Sequence, residues 1–235
     1  MPLRVQKHRI DFKKGLTPTG LTATYTGTPT GASVSGGQLE LVLAATNEAE
    51  TLRVDLGDNL AFPVNDVQEV RIRAKLERGE GAAGDNVSAA LGIAGAGAAD
   101  PADLSGCLLF EIATDDAVTI RANDGTVSGV DTSGIETDVE AGDDWRTYVF
   151  DLRNGLVRRE LREGGDIAGK GAVLAKVSND VGLLRPVAEG SVIDLTDWAD
   201  VGVQPYVQIA KTSSTDTGTL TVDWIEIFYR ETVEG

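Results

Sequence analysis

Between Val67 and Glu77 the chain reads VQEVRIRAKLE, with Val70, Ile72, Ala74 and Leu76 alternating with Glu69, Arg71, Arg73, Lys75 and Glu77. Strict period two belongs to a β-strand with one face on a core and the other toward water. The same period recurs along much of the chain. Leu39, Leu41 and Leu43 alternate with Gln38, Glu40 and Val42, and Leu52, Val54 and Leu56 with Thr51, Arg53 and Asp55. Further strand candidates are Leu3–Phe12, Leu21–Thr26, Val87–Ala94, Cys107–Ala113, Ala117–Ala122, Thr126–Val130 and Arg146–Leu152. Turn residues separate them: Gly36-Gly37, Gly57-Asp58-Asn59, Asn123-Asp124-Gly125, Gly142-Asp143-Asp144 and Arg153-Asn154-Gly155. The Asn-Asp-Gly turn predicts a hairpin between its flanking runs. Gly95–Ser105 reads as a surface loop. Residues 156–200 mix short strand candidates with a Leu/Ala-rich piece able to form a helical turn.

Two runs close the chain, Val203–Ala210 and Thr219–Tyr229, and the Thr/Ser/Gly stretch between them reads as the turn of a hairpin. In the second run Leu220, Val222, Trp224 and Phe228 alternate with Ile225, Ile227 and Tyr229, which predicts a strand inside a sheet and covered on both sides. Trp224 is expected to hold two sheets together. No internal repeat or linker divides the 235 residues. The predicted fold is all-β, a two-sheet antiparallel jelly-roll sandwich spanning residues 16–235, preceded by an N-terminal extension over residues 1–15.

A net charge of −16 argues against nucleic-acid binding by the body of the protein. No apolar run reaches the length of a membrane span, and the first residues lack the apolar stretch of a secretory signal. Cys107, the single cysteine, lies in an apolar run and reads as a core residue. Against the acidic background, Arg4, Lys7, Arg9, Lys13 and Lys14 face only Asp11 within the first 14 residues. Two readings of this segment stay open. It is a first strand whose cations pair with the protein's own acids, or an arm that docks on an acidic partner and is removable without loss of the fold.

Catalytic patterns are sparse. Glu136, Asp138 and Glu140 have the i, i+2, i+4 spacing that aligns three carboxylates on one strand face, where one can act as nucleophile, one as acid/base and the middle one tune their protonation. The pattern resembles the E-x-D-x-E signature of family 16 β-glucanases. It lies, however, in an acidic stretch that reads as a connection, without a flanking aromatic for a sugar to stack on. His8 is the only histidine, so a catalytic triad or a histidine-rich zinc site has little to build from. The expectation is a protein that is not an enzyme and uses no cofactor. Asp115-Asp116, Asp124, Asp131 and Asp143-Asp144 offer oxygens for Ca²⁺, but without a spaced calcium loop the metal question stays open. Gln204, Tyr206 and Gln208 share one strand face, either as a sugar-binding stripe or as an ordinary solvent-facing surface.

In order, VQEVRIRAKL, VSAALGIAG, CLLFEIATDDAVTIRANDGT, DDWRTYVFDLRNG and VQPYVQIAKTSSTDTGTLTVDWIEIFYR resemble the concanavalin/laminin-G-like jelly-roll domains found among tailed-phage structural proteins. Trp145–Leu152 and Val222–Ile227 match the aromatic and closing strands of those domains, while Gly164-Gly165 stands where an Asp-Gly turn is expected. The resemblance covers roughly residues 60–230 and bears on fold more than on function. It implies a virion protein assembled in the host cytoplasm, most simply a capsid decoration protein bound to the major capsid protein. Arg4, Lys7, Arg9, Lys13 and Lys14 would then supply the partner contacts, and dimers or trimers are expected by analogy. The alternatives are a carbohydrate-binding module or tail adhesin using Gln204, Tyr206 and Gln208, and then a family-16-like hydrolase. Neither nucleic acid nor membrane is an expected partner.

Overall fold

The computed structural model describes residues 3–12, 22–55, 61–64, 66–79, 86–95, 100–104, 106–123, 131–141, 143–153, 174–178, 184–187 and 202–232. Its strands are, in chain order, β1 (Leu3–Asp11), β2 (Thr22–Thr26), β3 (Gly31–Ser35), β4 (Gln38–Val42), β5 (Glu48–Asp55), β6 (Phe62–Pro63), β7 (Val67–Arg78), β8 (Val87–Ala94), β9 (Cys107–Ile112), β10 (Ala117–Asn123), β11 (Asp131–Glu140), β12 (Arg146–Asp151), β13 (Leu174–Ser178), β14 (Leu184–Val187), β15 (Gly202–Ser214) and β16 (Gly218–Thr232). One sheet has the order β14-β13-β12-β7-β16-β4-β3, with β1 also paired to β16. The other has the order β11-β10-β9-β8-β15-β5-β2, with β6 also paired to β15. The strand pairings are antiparallel. We call them the β7 sheet and the β8 sheet.

Between the sheets lies one apolar core. Leu39, Leu41, Leu52, Val54, Val70, Ile72, Leu76, Leu91, Phe110, Phe150 and Val207 are among its buried members, at the alternating positions that the sequence marks. Phe110 stacks on Phe150 at 4.1 Å between ring centroids and tilts against Tyr148 at 5.4 Å, joining the two sheets. This apolar setting pushes the Tyr148 phenol pKa up. At the β3–β4 turn Gly36 and Gly37 both take positive φ (60° and 90°), as a two-residue hairpin loop requires.

The closing pair of strands departs from its expected arrangement. β15 pairs with β8 and β5, whereas β16 pairs with β7, β4 and β1, so the two belong to different sheets and form no hairpin. The stretch between them crosses the sandwich.

β16 also carries a bulge. Val222 pairs with Ala74 and Trp224 with Arg73, so Asp223 is an extra residue and the alternation changes phase there. Leu220 and Val222 point inward before the bulge, and Ile225 and Ile227 after it. Trp224 therefore lies on the outer face, under Arg9, and does not bridge the sheets.

The first strand resolves the open reading of the N-terminus. β1 runs along β16 in continuous register from Leu3↔Thr232 to Asp11↔Trp224. Ile10 and the following Phe12 are buried in the core. β1 is thus a strand of the sandwich. The hairpin partner of β10 is β11, while Thr126–Val130 and Gly164-Gly165 lie outside the described residues.

Candidate functional site

Alternation along the β8 sheet puts one set of side chains in the core and the other on an outer face. On β8 the outer residues are small: Ser88, Ala90, Gly92 and Ala94. Larger residues flank them, with Gln204, Tyr206 and Gln208 on β15 and Leu109 and Glu111 on β9. Small residues between two taller rows make a trough. The segment after β8 folds back over one end of it. Asp100 caps a 3-10 turn (Pro101–Asp103) by accepting from the Ala102 amide at 2.9 Å. Leu104 follows and is buried with Ala90, Ala94, Cys107, Leu109 and Tyr206 in a second, smaller apolar cluster. Within the stretch read as a surface loop, residues 100–104 thus form a lid over one end of the trough.

The other half of the trough stays open as a cleft of about 570 Å³. Thr51, Ser88, Asp100, Glu111, Thr119 and Gln208 supply its polar lining, with Ala90, Ala113, Ala210 and Pro101 between them. Register joins these residues across the sheet: Gln208 pairs with Ala90, Ala90 with Glu111, and Glu111 with Thr119. Arg121 donates to the Glu111 carboxylate at 2.7 Å, and both are largely buried, so the acid is fixed in place and neutralised. Three hydroxyls, an amide and two carboxylates, one of them paired with Arg121, offer donors and acceptors close together. Such a surface suits a neutral, polyhydroxylated ligand. The size falls within the usual range for small-molecule sites, about 300–1,000 Å³.

Only one of the sequence-predicted glycan residues reaches this cleft. Gln204, Tyr206 and Gln208 do share a face, but none is solvent-facing: they are 6%, 0% and 3% exposed. Tyr206 lies under Leu104 and donates its hydroxyl to Gln208 Oε1, so it offers no ring for a sugar to stack on. Among the described residues Gln204 Oε1 has no hydrogen-bond partner. Thr51, Ser88, Glu111 and Thr119 went unnoticed in the sequence. Their outward parity was readable, but the sheet order that brings four separate strands together was not.

Lys7 and Arg9 of β1 lie on the outer face of the other sheet, whereas Arg4 has the opposite parity, that of Ile10. Lys7 and Arg9 both pair with Glu226, at 2.5 and 2.7 Å, and Arg9 also donates to Asp11 at 2.6 Å. Burial would raise the Glu226 pKa, but hydrogen bonds and charge from Lys7 and Arg9 outweigh it and hold the carboxylate below its usual range. Asp11 and then Glu226 raise the Arg9 pKa in return. Arg4 is exposed. Lys13 and Lys14 lie outside the described residues.

The Glu136, Asp138 and Glu140 pattern sits on β11, the edge strand of the β8 sheet, and not in a connection as its sequence setting suggested. Its register is irregular: Glu140 pairs with Ala117 but Glu136 with Thr119, leaving two extra residues on β11 between them. Of the aspartates considered for Ca²⁺, Asp116 pairs with Arg78 and Asp115 accepts from the Ala117 amide at 3.2 Å. Among the described residues no three His, Cys, Asp or Glu side chains gather into a metal-binding group.

No family model matches the sequence, and no curated protein does either. Solved structures match the fold. The CBM2 module of an evolved Dit from Lactobacillus casei BL23 phage J-1 aligns over 100% of both chains, with 8% identity and a TM-score of 0.58. Peanut lectin aligns over 98% of this chain and 100% of its own, with 11% identity and a TM-score of 0.56. The endo-1,3-beta-glucanase of Streptomyces sioyaensis aligns over 92% and 99%, with 12% identity and a TM-score of 0.55. The fold is a concanavalin-like jelly roll. At these identities the likeness is one of architecture, and the same sandwich carries a lectin, a phage module and a hydrolase.

Proposed function

We propose that this chain is a non-enzymatic carbohydrate-binding module carried on a phage virion, and that the cleft of the β8 sheet receives the glycan. The observation that carries this reading is the open polar half of the trough, where Thr51, Ser88, Glu111, Thr119 and Gln208 converge from five strands. The fold's likeness to a lectin and to a phage Dit module along their whole lengths supports it. A glycan array probed with the full chain tests it, with and without chelator. Binding that is lost in Ser88→Tyr, at unchanged melting temperature, supports the reading. Absence of binding to any glycan sinks it.

Capsid decoration is the second reading. It is favoured by β1, which flanks β16 and exposes Arg4 together with Val5, 55% exposed, beside its paired cations. In this reading the major capsid protein docks along β1, and Lys7 and Arg9 exchange their contacts with Glu226 and Asp11 for acidic groups on the capsid. Salt-sensitive co-sedimentation with undecorated capsids tests it. Arg4→Glu should weaken that binding, and unchanged binding rejects the β1 surface.

A further inference from the structure

At one end of the core, two of the connections that cross between the sheets close around a single side chain. Lys211 on β15 stands opposite Glu50 on β5, and both side chains are 0% exposed. The Lys211 ammonium donates to the carbonyls of Ala44 at 2.5 Å and Thr46 at 2.7 Å, in the β4–β5 connection. It also donates to those of Ser214 at 3.1 Å and Asp216 at 3.2 Å, where β15 passes over to β16. Glu50 Oε1 lies 3.7 Å away. Five oxygens thus surround a group that has only three hydrogens to give. The surroundings are better described as a coordination shell than as a set of paired hydrogen bonds.

The shell is held by contacts that do not involve Lys211. Glu50 accepts from the Ala44 amide at 2.8 Å and from the Thr46 hydroxyl, so it fixes the loop whose two carbonyls face the ammonium. On the opposite side, buried Asp216 accepts from Asn86 Nδ2 at 2.7 Å. Four neutral carbonyls and one nearby carboxylate match a singly charged ion. Ca²⁺ prefers six to eight oxygens at about 2.3–2.6 Å, with carboxylates prominent among them, whereas carbonyl cages serve K⁺.

We propose that this is a monovalent-cation site that the chain fills with its own tethered ammonium, and that removing the Lys211 side chain turns it into a site for free K⁺ or NH₄⁺. The tether makes the loop junction independent of added salt, because the resident cation cannot dissociate.

The test is a series of thermal melts at matched ionic strength in choline, sodium, potassium, ammonium and calcium chloride. The wild-type melting temperature should be the same in all five. Lys211→Ala should melt about 10 °C lower in choline chloride and recover part of that loss, saturably, in K⁺ or NH₄⁺. Equal melting of Lys211→Ala in every salt overturns the proposal, as does rescue by Ca²⁺ alone. Should Lys211→Ala fold in none of them, Lys211→Met, which keeps the aliphatic stem, takes the same series. In ¹⁵N-labelled wild type one lysine ammonium should give a slowly exchanging ¹H–¹⁵N signal that Lys211→Met lacks. Absence of that signal from the wild type also overturns the cage.

Discussion

Arg9 lies over the indole of Trp224, its guanidinium carbon 5.2 Å from the ring centroid, and the same guanidinium donates to Glu226 at 2.7 Å. One cation on β1 thereby engages two residues of β16 that the Asp223 bulge has brought to the outer face. Lys7 repeats the arrangement with Phe228 and Glu226. The bulge turns an apolar strand outward in the place where a basic strand covers it.

Acid should weaken the protein through Glu226. Its folded-state pKa is held below the ordinary value of 4.5, so its contribution is present above that value and is lost as pH falls through the folded pKa. Lys7 and Arg9 are 45% and 39% exposed, so solvent screens the pairs and the contribution is about 1 kcal/mol at most. Urea unfolding from neutrality to below the glutamate range should show this loss in the wild type, with a flatter profile in Glu226→Gln. Parallel profiles would reject it.

β1 should be indispensable to the fold. Phe12 is fully buried, and Phe12→Ala should cost about 3–5 kcal/mol in chemical denaturation. A chain lacking residues 2–14 should lose its cooperative melt, because Ile10, Phe12 and the ladder to β16 go together. A truncated chain with wild-type melting would show that the segment is an arm after all.

Gly92 should not tolerate a side chain. A Cβ there would overlap the Leu108 carbonyl oxygen and stand 3.0 Å from Leu109 Cα, both on the backbone of β9. Backbone yields less readily than a flexible side chain, so Gly92→Ala should destabilise by about 1–3 kcal/mol. Equilibrium unfolding measures this, and a neutral substitution would contradict the close strand approach.

Tyr206 and Gln208 should act as a unit. Tyr206→Phe removes the hydroxyl donor and leaves a buried amide oxygen short of a partner, at a cost of about 1–2 kcal/mol. In a double-mutant cycle with Gln208→Leu the two losses should not add. Simple additivity would mean that the hydrogen bond contributes nothing.

Much of the sandwich was legible because period two is a local property. Val70, Ile72, Ala74 and Leu76 are buried as their spacing predicts, and Val87–Ala94 is a strand over the bounds that its composition suggests. β3, β6 and β11 went unread, and β13 and β14 fall in a stretch read only as mixing short strand candidates with a helical turn. Short or polar strands carry too few apolar residues to leave a clear alternation. Parity also failed at Asp223, since a bulge shifts the phase without altering the residues around it.

Fold class, the core faces of the long strands and the shared face of Gln204, Tyr206 and Gln208 were all present in local residue order. Each follows from the chemistry of a few neighbouring residues. Tertiary structure decided which strands lie side by side, and hence that the closing pair crosses the sandwich and that β1 belongs to it. It decided as well that a lid buries Tyr206 while Thr51, Ser88, Glu111 and Thr119 meet in an open cleft, and that Lys211 fills a cage of carbonyls. These depend on contacts between residues far apart in the chain, which no local period encodes.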